Sequence, residues 1–215
     1  MQHLVITGGS GGLGSAIAEA FRNPQWNIAA PGRRELDVAD PAAIAAFFSN
    51  LPVDLLVCAA GLTGEQPLAR LPESIWDEVL AVNFTGAAAC ARAVLPGMIA
   101  RGSGHLLFVS SFSALHPPPG LTAYATAKAA LLGLTRDLAA RHGAQGVRVN
   151  AILPGFLETR MTREVTSRRR AAVLAEHTLG AFNTPQAAAG FIHFLHHHLP
   201  HTSGQHFQLD SRLGS

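Results

Sequence analysis

Tyr124 and Lys128 stand four residues apart in Tyr124-Ala-Thr-Ala-Lys128, with Ser111 thirteen positions upstream and Asn83 further back. On a helix this spacing projects both side chains from one face, so the ammonium can sit beside the phenol and stabilise its ionised form. A phenol so placed serves as a general acid or base near neutral pH. The pair alone could equally be two residues of a solvated helix face. A lone serine at a strand end, or an asparagine in a helix, often does no more than local hydrogen bonding.

At the other end of the chain, Leu4-Val5-Ile6 runs into Thr7-Gly8-Gly9-Ser10-Gly11-Gly12-Leu13-Gly14, and Leu13, Ile17 and Phe21 then recur every four residues as one apolar stripe. A strand, a glycine-rich turn and a helix form a dinucleotide site, because glycines let the backbone approach a pyrophosphate and the helix N-terminus offers free N–H groups and a positive dipole end. The glycines fit two spacings, Gly9-x-Gly11-x-x-Gly14 and Thr7-Gly8-x-x-x-Gly12-x-Gly14.

Taken with Tyr124 and Lys128, the second spacing resembles the short-chain dehydrogenase/reductase family. Six further stretches extend the resemblance over nearly the whole chain: Leu36-Asp37-Val38, Leu56 to Gly61, Val82 to Gly86, Val109-Ser110-Ser111, Tyr124 to Lys128, and Asn150 to Thr159. The resemblance implies hydride transfer between C4 of a nicotinamide and a carbonyl or secondary alcohol, with Tyr124 exchanging the proton at the substrate oxygen. Ser111 would hydrogen-bond that oxygen, Lys128 would lower the Tyr124 pKa and hold the nicotinamide ribose, and Asn83 would fix a water on a proton path. It further implies cofactor contacts from Gly8, Ser10, Gly11, Gly12, Leu13 and Gly14 around the pyrophosphate. Asp37 and Val38 would lie at the adenine, Ala60 and Gly61 along the ribose, and Pro154, Gly155 and Thr159 near the nicotinamide.

Cofactor choice turns on the end of the second strand. A carboxylate there binds the ribose hydroxyls of NAD, whereas arginine attracts the 2′-phosphate of NADP. The family's acidic position falls near Gly32, followed by Arg33 and Arg34, so NADP(H) is expected, with Glu35 keeping NAD(H) open. The stretch 156–181 matches the family's substrate lid. Its Arg168-Arg169-Arg170 either attracts an anionic substrate or forms a solvated face, and Gly155 to Thr159 with Met161-Thr162 looks like the 3-oxoacyl thioester reductases of the family. Leu115 and His116 either line the substrate pocket or sit on a surface loop. A non-catalytic NADP-binding sensor or scaffold is the alternative function, and an epimerase or dehydratase a third.

Strand-like and helical runs alternate, the pattern of an α/β, doubly wound, Rossmann-like domain spanning 1–215 around a central parallel sheet of about seven strands. The strands are expected near 3–7, 26–30, 34–38, 53–58, 104–110, 147–152 and 205–209. Between the second and third, Pro31 to Glu35 is too short for the family's crossover helix, which is expected to be missing. Cys58 and Ala59 stand where the family usually has asparagines, so the hydrogen bonds that tie that strand to its neighbours should be absent. Leu209-Asp210-Ser211-Arg212 replaces an aspartate followed by glycines.

Composition agrees with one compact domain: 215 residues, 48% hydrophobic, 14% charged, net charge +2. That charge is too small and scattered to argue for nucleic acid. Met1 leads directly into the first strand and no apolar run approaches the length of a bilayer span, so a cytoplasmic chain with no membrane partner is expected. Cys58 and Cys90 read as buried apolar residues. His193, His196, His197, His198 and His201 have partly helical ligand spacing, but no carboxylate or cysteine joins them and no metal is expected. A small-molecule carbonyl or alcohol is the expected partner. The resemblance adds a homo-oligomer, tetramer or dimer, joined through helices near 74–101 and 122–142.

Overall fold

Short apolar runs build the centre of the molecule. The structure, a computed structural model, describes residues 1–213. Its strands are β1 (Gln2–Thr7), β2 (Trp26–Ala29), β3 (Leu55–Cys58), β4 (Gly104–Val109), β5 (Val147–Leu153) and β6 (His206–Gln208). All neighbours are parallel, in the order β2-β1-β3-β4-β5-β6. Side chains alternate along each strand. Val5, Leu56, Leu106, Phe108 and Val149 therefore pack under one helical layer, while Leu4, Ile6, Leu55, Val57 and Leu107 pack under the other. The first layer holds α2 (Pro41–Phe48), α4 (Gly86–Arg101) and α5 (Thr122–His142); the second holds α1 (Gly12–Ala20) and α7 (Pro185–His198). A helix α3 (Glu73–Leu80) leads into α4, and α6 (Ser167–Ala175) lies between β5 and α7. This is the doubly wound α/β fold, with the order of strands reversing at β1, where ligand clefts form in such sheets.

The strand expected at 34–38 does not form, so the sheet has six strands rather than about seven. β2 ends at Ala29 and α2 begins at Pro41, with Asp40 as its cap accepting from Ala42 N at 2.8 Å. A parallel return beside β2 needs a dozen or more residues. The residues here make a turn at Arg33 to Glu35 and then bury Leu36 and Val38 in the core instead. The expected loss of the crossover helix therefore extends to its strand, and β2 is left as the edge of the sheet.

The expectation of no bilayer-length apolar run is corrected as well. From Glu73 to Arg101 the chain winds continuously, and an 18-residue window of this 29-residue run has mean hydropathy 1.4, long and apolar enough to cross a membrane. In the fold 44% of that window is buried, with Val79, Val82, Cys90, Ala91, Val94 and Met98 packed in the core. Alanines make it apolar because a helix lying close on a sheet has room for little else. At the far end of α5, Gly143 continues as a short 3₁₀ turn rather than ending the winding, and the reversal comes at Gly146.

The histidines take up core duties. His105, on β4 and 1% exposed, receives a hydrogen bond from Asn150 Nδ2 at Nε2 (3.2 Å), which leaves Nδ1 to donate to His196 Nδ1 at 3.3 Å. His193, His196 and His197 pack their rings on Phe21, and Trp26 joins the last two. Among the described residues no group of three or more His, Cys, Asp or Glu is set to hold a metal. Arg148 caps α7 through the carbonyls of Leu195, His196 and Leu199 at 3.0 to 3.3 Å.

Burial, then Arg148 and His197, push His196 down from 6.5 to about 3; burial and Arg148 push His105 down too. Both rings fold neutral, while the unfolded chain takes up protons below its ordinary histidine pKa. Their contribution is therefore full above pH 6.5 and is lost as pH falls toward 3. Thermal melts over this range should show falling stability, and His196→Gln should flatten the slope. An unchanged slope would remove His196 from the acid-sensitive set.

Candidate active site

Pro117-Pro118-Pro119-Gly120 keeps the approach to α5 out of helix, and the helix starts as soon as the prolines end. Ala123, Ala127, Leu131 and Thr135 form its buried stripe. That fixes the neighbouring stripe, and Tyr124 and Lys128 fall on it one turn apart. Lys128 is 4% exposed; its Nζ donates to Val109 O at 2.9 Å and lies 5.6 Å from the Tyr124 ring centre. A second tie runs between the same elements, from Ser110 Oγ to Lys128 O at 2.8 Å. The strand end and the helix are thus locked together at the residue preceding Ser111.

Ser111 opens a 3₁₀ turn over Phe112–Ala114, its Oγ accepting from Ser113 N at 3.1 Å, and its hydroxyl stands close enough to Tyr124 to pull the phenol's pKa down. Burial raises the Tyr124 pKa above its ordinary value, and the Ser111 bond only partly offsets this. With the pKa raised, the phenol is protonated at neutral pH, and burial lowers the pKa of Lys128 beside it to about 8.

Asn83 lies in a π-helical turn, Ala81–Thr85, between α3 and α4. The widened turn is invisible in the sequence pattern, and such turns recur at functional sites. Asn83 is 1% exposed; Nδ2 donates to Leu62 O and Val79 O at 2.8 and 2.9 Å, while Oδ1 is buried without a partner. A Cβ on Gly61 would stand 2.8 Å from that oxygen and 3.6 Å from Lys128 Nζ, so only glycine fits there. Gly61, Asn83 and Lys128 converge, with Tyr124 and Ser111 beside them.

The glycine-rich turn lies at the reversal point of the sheet. Gly8 has φ +69° and its backbone abuts Ala60, so a side chain there would be strained and blocked. This selects the spacing that begins Thr7-Gly8, whose Gly14 in turn packs against Gly8. Ala60 N donates to Thr7 Oγ1 at 3.3 Å, and Cys58 Sγ to Ala87 O at 3.7 Å. These ties, which the sequence reading missed, hold β3 where asparagines were expected to be needed. Helix α1 opens on Gly11 with no side-chain cap and no acid in its first turn; Ser10, Gly11 and Gly12 are exposed and Leu13 half-buried. A helix start of this kind suits an anion, and with the Gly61 cradle and the unpartnered Asn83 oxygen the residues fit a dinucleotide.

At the adenosine end, Arg33 is 69% exposed and pairs with Asp37 at 3.2 Å and Glu78 at 3.7 Å. Arg34 is exposed, Asp37 also accepts from Ala39 N at 3.0 Å, and the Val38 side chain is buried. Glu35 folds back so that its carboxylate accepts from Gly32 N at 2.6 Å, beside Ser10. Over the cleft, Thr159 packs on Gly12 and Met161 reaches toward Gly61. Asn183 Nδ2 donates to Pro154 O at 2.9 Å, and Gly155 packs on Asp210. Leu115 is 51% exposed and His116 stacks on Phe112.

Residues 15–211 match the family described as Enoyl-(Acyl carrier protein) reductase. The 3-oxoacyl-[acyl-carrier-protein] reductase FabG of Salmonella typhimurium is 30% identical over 214 residues, covering 89% of this chain and 88% of that one. The protein of the same name from Thermotoga maritima is 38% identical over 143 residues, 66% of this chain and 58% of its own. A solved structure assigned as an NAD(P)-dependent gluconate 5-dehydrogenase from Beutenbergia cavernae, with NADP at low occupancy, superimposes with a TM-score of 0.93. It is 29% identical and the match covers 98% of this chain and 95% of that one.

Burying Lys128 has a sign that can be measured. Its pKa falls from 10.5 to about 8 because burial penalises the ammonium. At neutral pH the fold carries a charge it would shed, a penalty on the order of 3 kcal/mol that is relieved as pH rises from 8 toward 10.5. Lys128→Met should therefore raise stability in urea unfolding at pH 7, by on the order of 1 kcal/mol after the lost Val109 contact. A less stable variant would mean that this contact outweighs the charge.

Proposed function

The chain belongs to the short-chain dehydrogenase/reductase family, and we propose that it is an NADP(H)-dependent oxidoreductase acting on a carbonyl or secondary alcohol, with Tyr124 as general acid and base. The observation that carries this reading is the convergence of Gly61, Asn83 and Lys128 on one spot beside the Tyr124–Ser111 pair. When bound, the dinucleotide supplies the hydride for reduction or takes it up in oxidation. Ser111 holds the substrate oxygen while Tyr124 passes it a proton. A phenol that keeps its proton at neutral pH suits the reductive direction. The free Asn83 oxygen accepts from a water beside Lys128, by which the phenol regains its proton. The Gly8 to Gly14 turn and the α1 N-terminus hold the pyrophosphate, Lys128 the nicotinamide ribose, and Pro154, Gly155 and Thr159 the nicotinamide end.

Arg33 and Arg34 favour NADP(H). Exposed ion pairs such as Arg33 with Asp37 are worth little, so the guanidinium can turn to a doubly charged phosphate and gain bidentate bonds. The NADP reported in the Beutenbergia cavernae structure is consistent with this. One observation favours NAD(H) instead: the Glu35 carboxylate seated on Gly32 N beside Ser10, where it could bind ribose hydroxyls. The substrate class is a small carbonyl compound or its alcohol, met under a lid at 156–181 that presents exposed Arg160, Arg163, Arg168 and Arg169. We place the protein in the cytoplasm, as a homo-oligomer joined through α4 and α5.

Tyr124→Phe should bind dinucleotide as wild type does yet lose turnover by about 100-fold or more in a panel of oxoacyl thioesters, quinones, steroids and small ketones. Retained turnover would refute Tyr124 as the acid; absence of any turnover in the wild type would favour the non-catalytic sensor. Arg33→Ala should weaken NADPH by about 10-fold or more and leave NADH within about 2-fold. Equal losses would count against the phosphate contact, and selective loss of NADH in Glu35→Gln would favour the NAD(H) reading.

A further inference from the structure

The C-terminal segment departs from its expected glycines by placing a cation inside the molecule. Arg212 has a side chain only 10% exposed, and its Nε and Nη2 both reach Asp210 Oδ2, at 2.7 and 2.6 Å. The Asp210 carboxylate is fully buried, wedged against Gly155, with His177 Nε2 3.6 Å away. An anion so enclosed needs its cation, and the fork holds the guanidinium in one orientation. Its Cζ lies 3.7 Å from the centre of the Phe112 ring. His116 stacks on the same ring, centroids 4.5 Å apart, and two planar groups at these distances must take opposite faces. Phe112 is thus a ring clamped on both sides, and it follows Ser111 directly.

We infer that Arg212 is a positioning residue: held by Asp210, its guanidinium clamps Phe112 and so keeps the adjacent Ser111 hydroxyl aimed at Tyr124. The contacts are those of a clamp. The turn that Ser111 opens is pinned within itself by Ala114 N to Ser111 O at 3.0 Å and His116 N to Phe112 O at 3.0 Å, so it moves as a unit with the ring. Phe112 is the buried side chain of that turn, so what holds its ring also holds the orientation of the turn on α5. The Phe112 contact is a cation on an aromatic face, and the planar guanidinium adds a stack on the ring that a compact ammonium cannot make. The same Asp210 that anchors Arg212 also supports Gly155 and the end of the lid segment at His177. The serine, the turn after β5 and the base of the lid therefore share one anchor.

The chain has a single tyrosine, so tyrosinate absorbance reports Tyr124 alone, with or without activity. Ser111→Ala should raise the Tyr124 midpoint, because the serine bond lowers it. Arg212→Gln should raise the midpoint by a comparable amount, and should add nothing in the Ser111→Ala background. Arg212→Lys keeps a charge for Asp210 without the flat stack, and should restore stability but not the midpoint. Phe112→Leu keeps an apolar side chain in the core while removing the ring, and serves if Arg212→Gln does not fold; it too should be non-additive with Ser111→Ala. A wild-type midpoint in Arg212→Gln, additive shifts, or full rescue by lysine would overturn the clamp. The kinetic arm rests on the proposed function: kcat should fall about 10-fold or more with KM within about 2-fold, and a loss confined to KM or to dinucleotide affinity would overturn it. A wild-type protein without turnover would sink the functional reading while leaving the titration to judge Arg212.

Discussion

A lysine buried without a carboxylate partner governs the architecture of this site. Lys128 has a backbone carbonyl, Val109 O, and an aromatic ring for company, and burial has already brought its pKa down to about 8. Cys58, whose own thiol burial raises well above its ordinary value, pulls the lysine's pKa back up, but desolvation outweighs it. A cation kept in this state has to be held by geometry rather than by charge, which explains the two-point lock between β4 and α5 through Val109 O and Ser110 Oγ. It also explains the bare Gly61 at its side, since any Cβ there would press on Asn83 Oδ1. The strain of burial is the cost of having a proton-handling group that polar ligands and water can still reach.

The sequence made the polar chemistry legible because that chemistry depends on residue identity at fixed spacings. Tyr124 with Lys128 falls on one helix face whatever else the fold does, and Gly8, Gly14 and Gly61 are legible because no other residue fits the close approaches they make. What stayed hidden depends on backbone geometry that no local pattern encodes. The π-turn around Asn83 changes the direction of its side chain without changing the composition of the helix. The six residues of β1 and the four of β2 have strand character that packing confirms, but Leu36 and Val38 have the same apolar character and sit in a turn region. Periodicity reports which residues want burial, and length decides whether burial comes as a strand. The direction of the Tyr124 pKa stayed hidden for a related reason: spacing fixes proximity, while desolvation depends on the depth of the site.

Loss of the crossover leaves a different problem at the sheet edge. With no strand beyond β2, the adenosine end of the cleft is closed by the turn at Arg33 to Glu35 alone, and that turn carries both signs of charge within hydrogen-bond reach of itself. Arg33 is held by Asp37 and Glu78, whereas the Glu35 carboxylate is held by a backbone N–H. Surface ion pairs of the first kind exchange readily for a stronger anion. A carboxylate on an amide hydrogen does not turn away so easily, because leaving would strip Gly32 of its acceptor. On the proposed reading, selectivity at this end is set between an arginine held by exposed ion pairs and a carboxylate held by a backbone amide, which differs from a fold whose second strand ends directly on the deciding side chain.

The segment over the cleft is tied together as a block. Glu158 pairs with Arg170, and Arg170 lies 5.6 Å over the Phe182 ring, which packs on Phe156 and meets His177 edge-on. These contacts tie the two ends of the segment to each other. Toward the cleft, Thr159 reaches Gly12 and Met161 comes near Gly61. The reciprocal cap between Thr159 and Thr162 keeps those two contacts at a fixed separation. Where the segment leaves β5, Gly155 has φ +86° and rests on the buried Asp210 carboxylate, which also faces His177 near the other end of the segment. One buried carboxylate therefore supports the segment at both ends, while Ser111 at the end of β4 and Tyr124 and Lys128 on α5 are held by the Val109 and Ser110 ties.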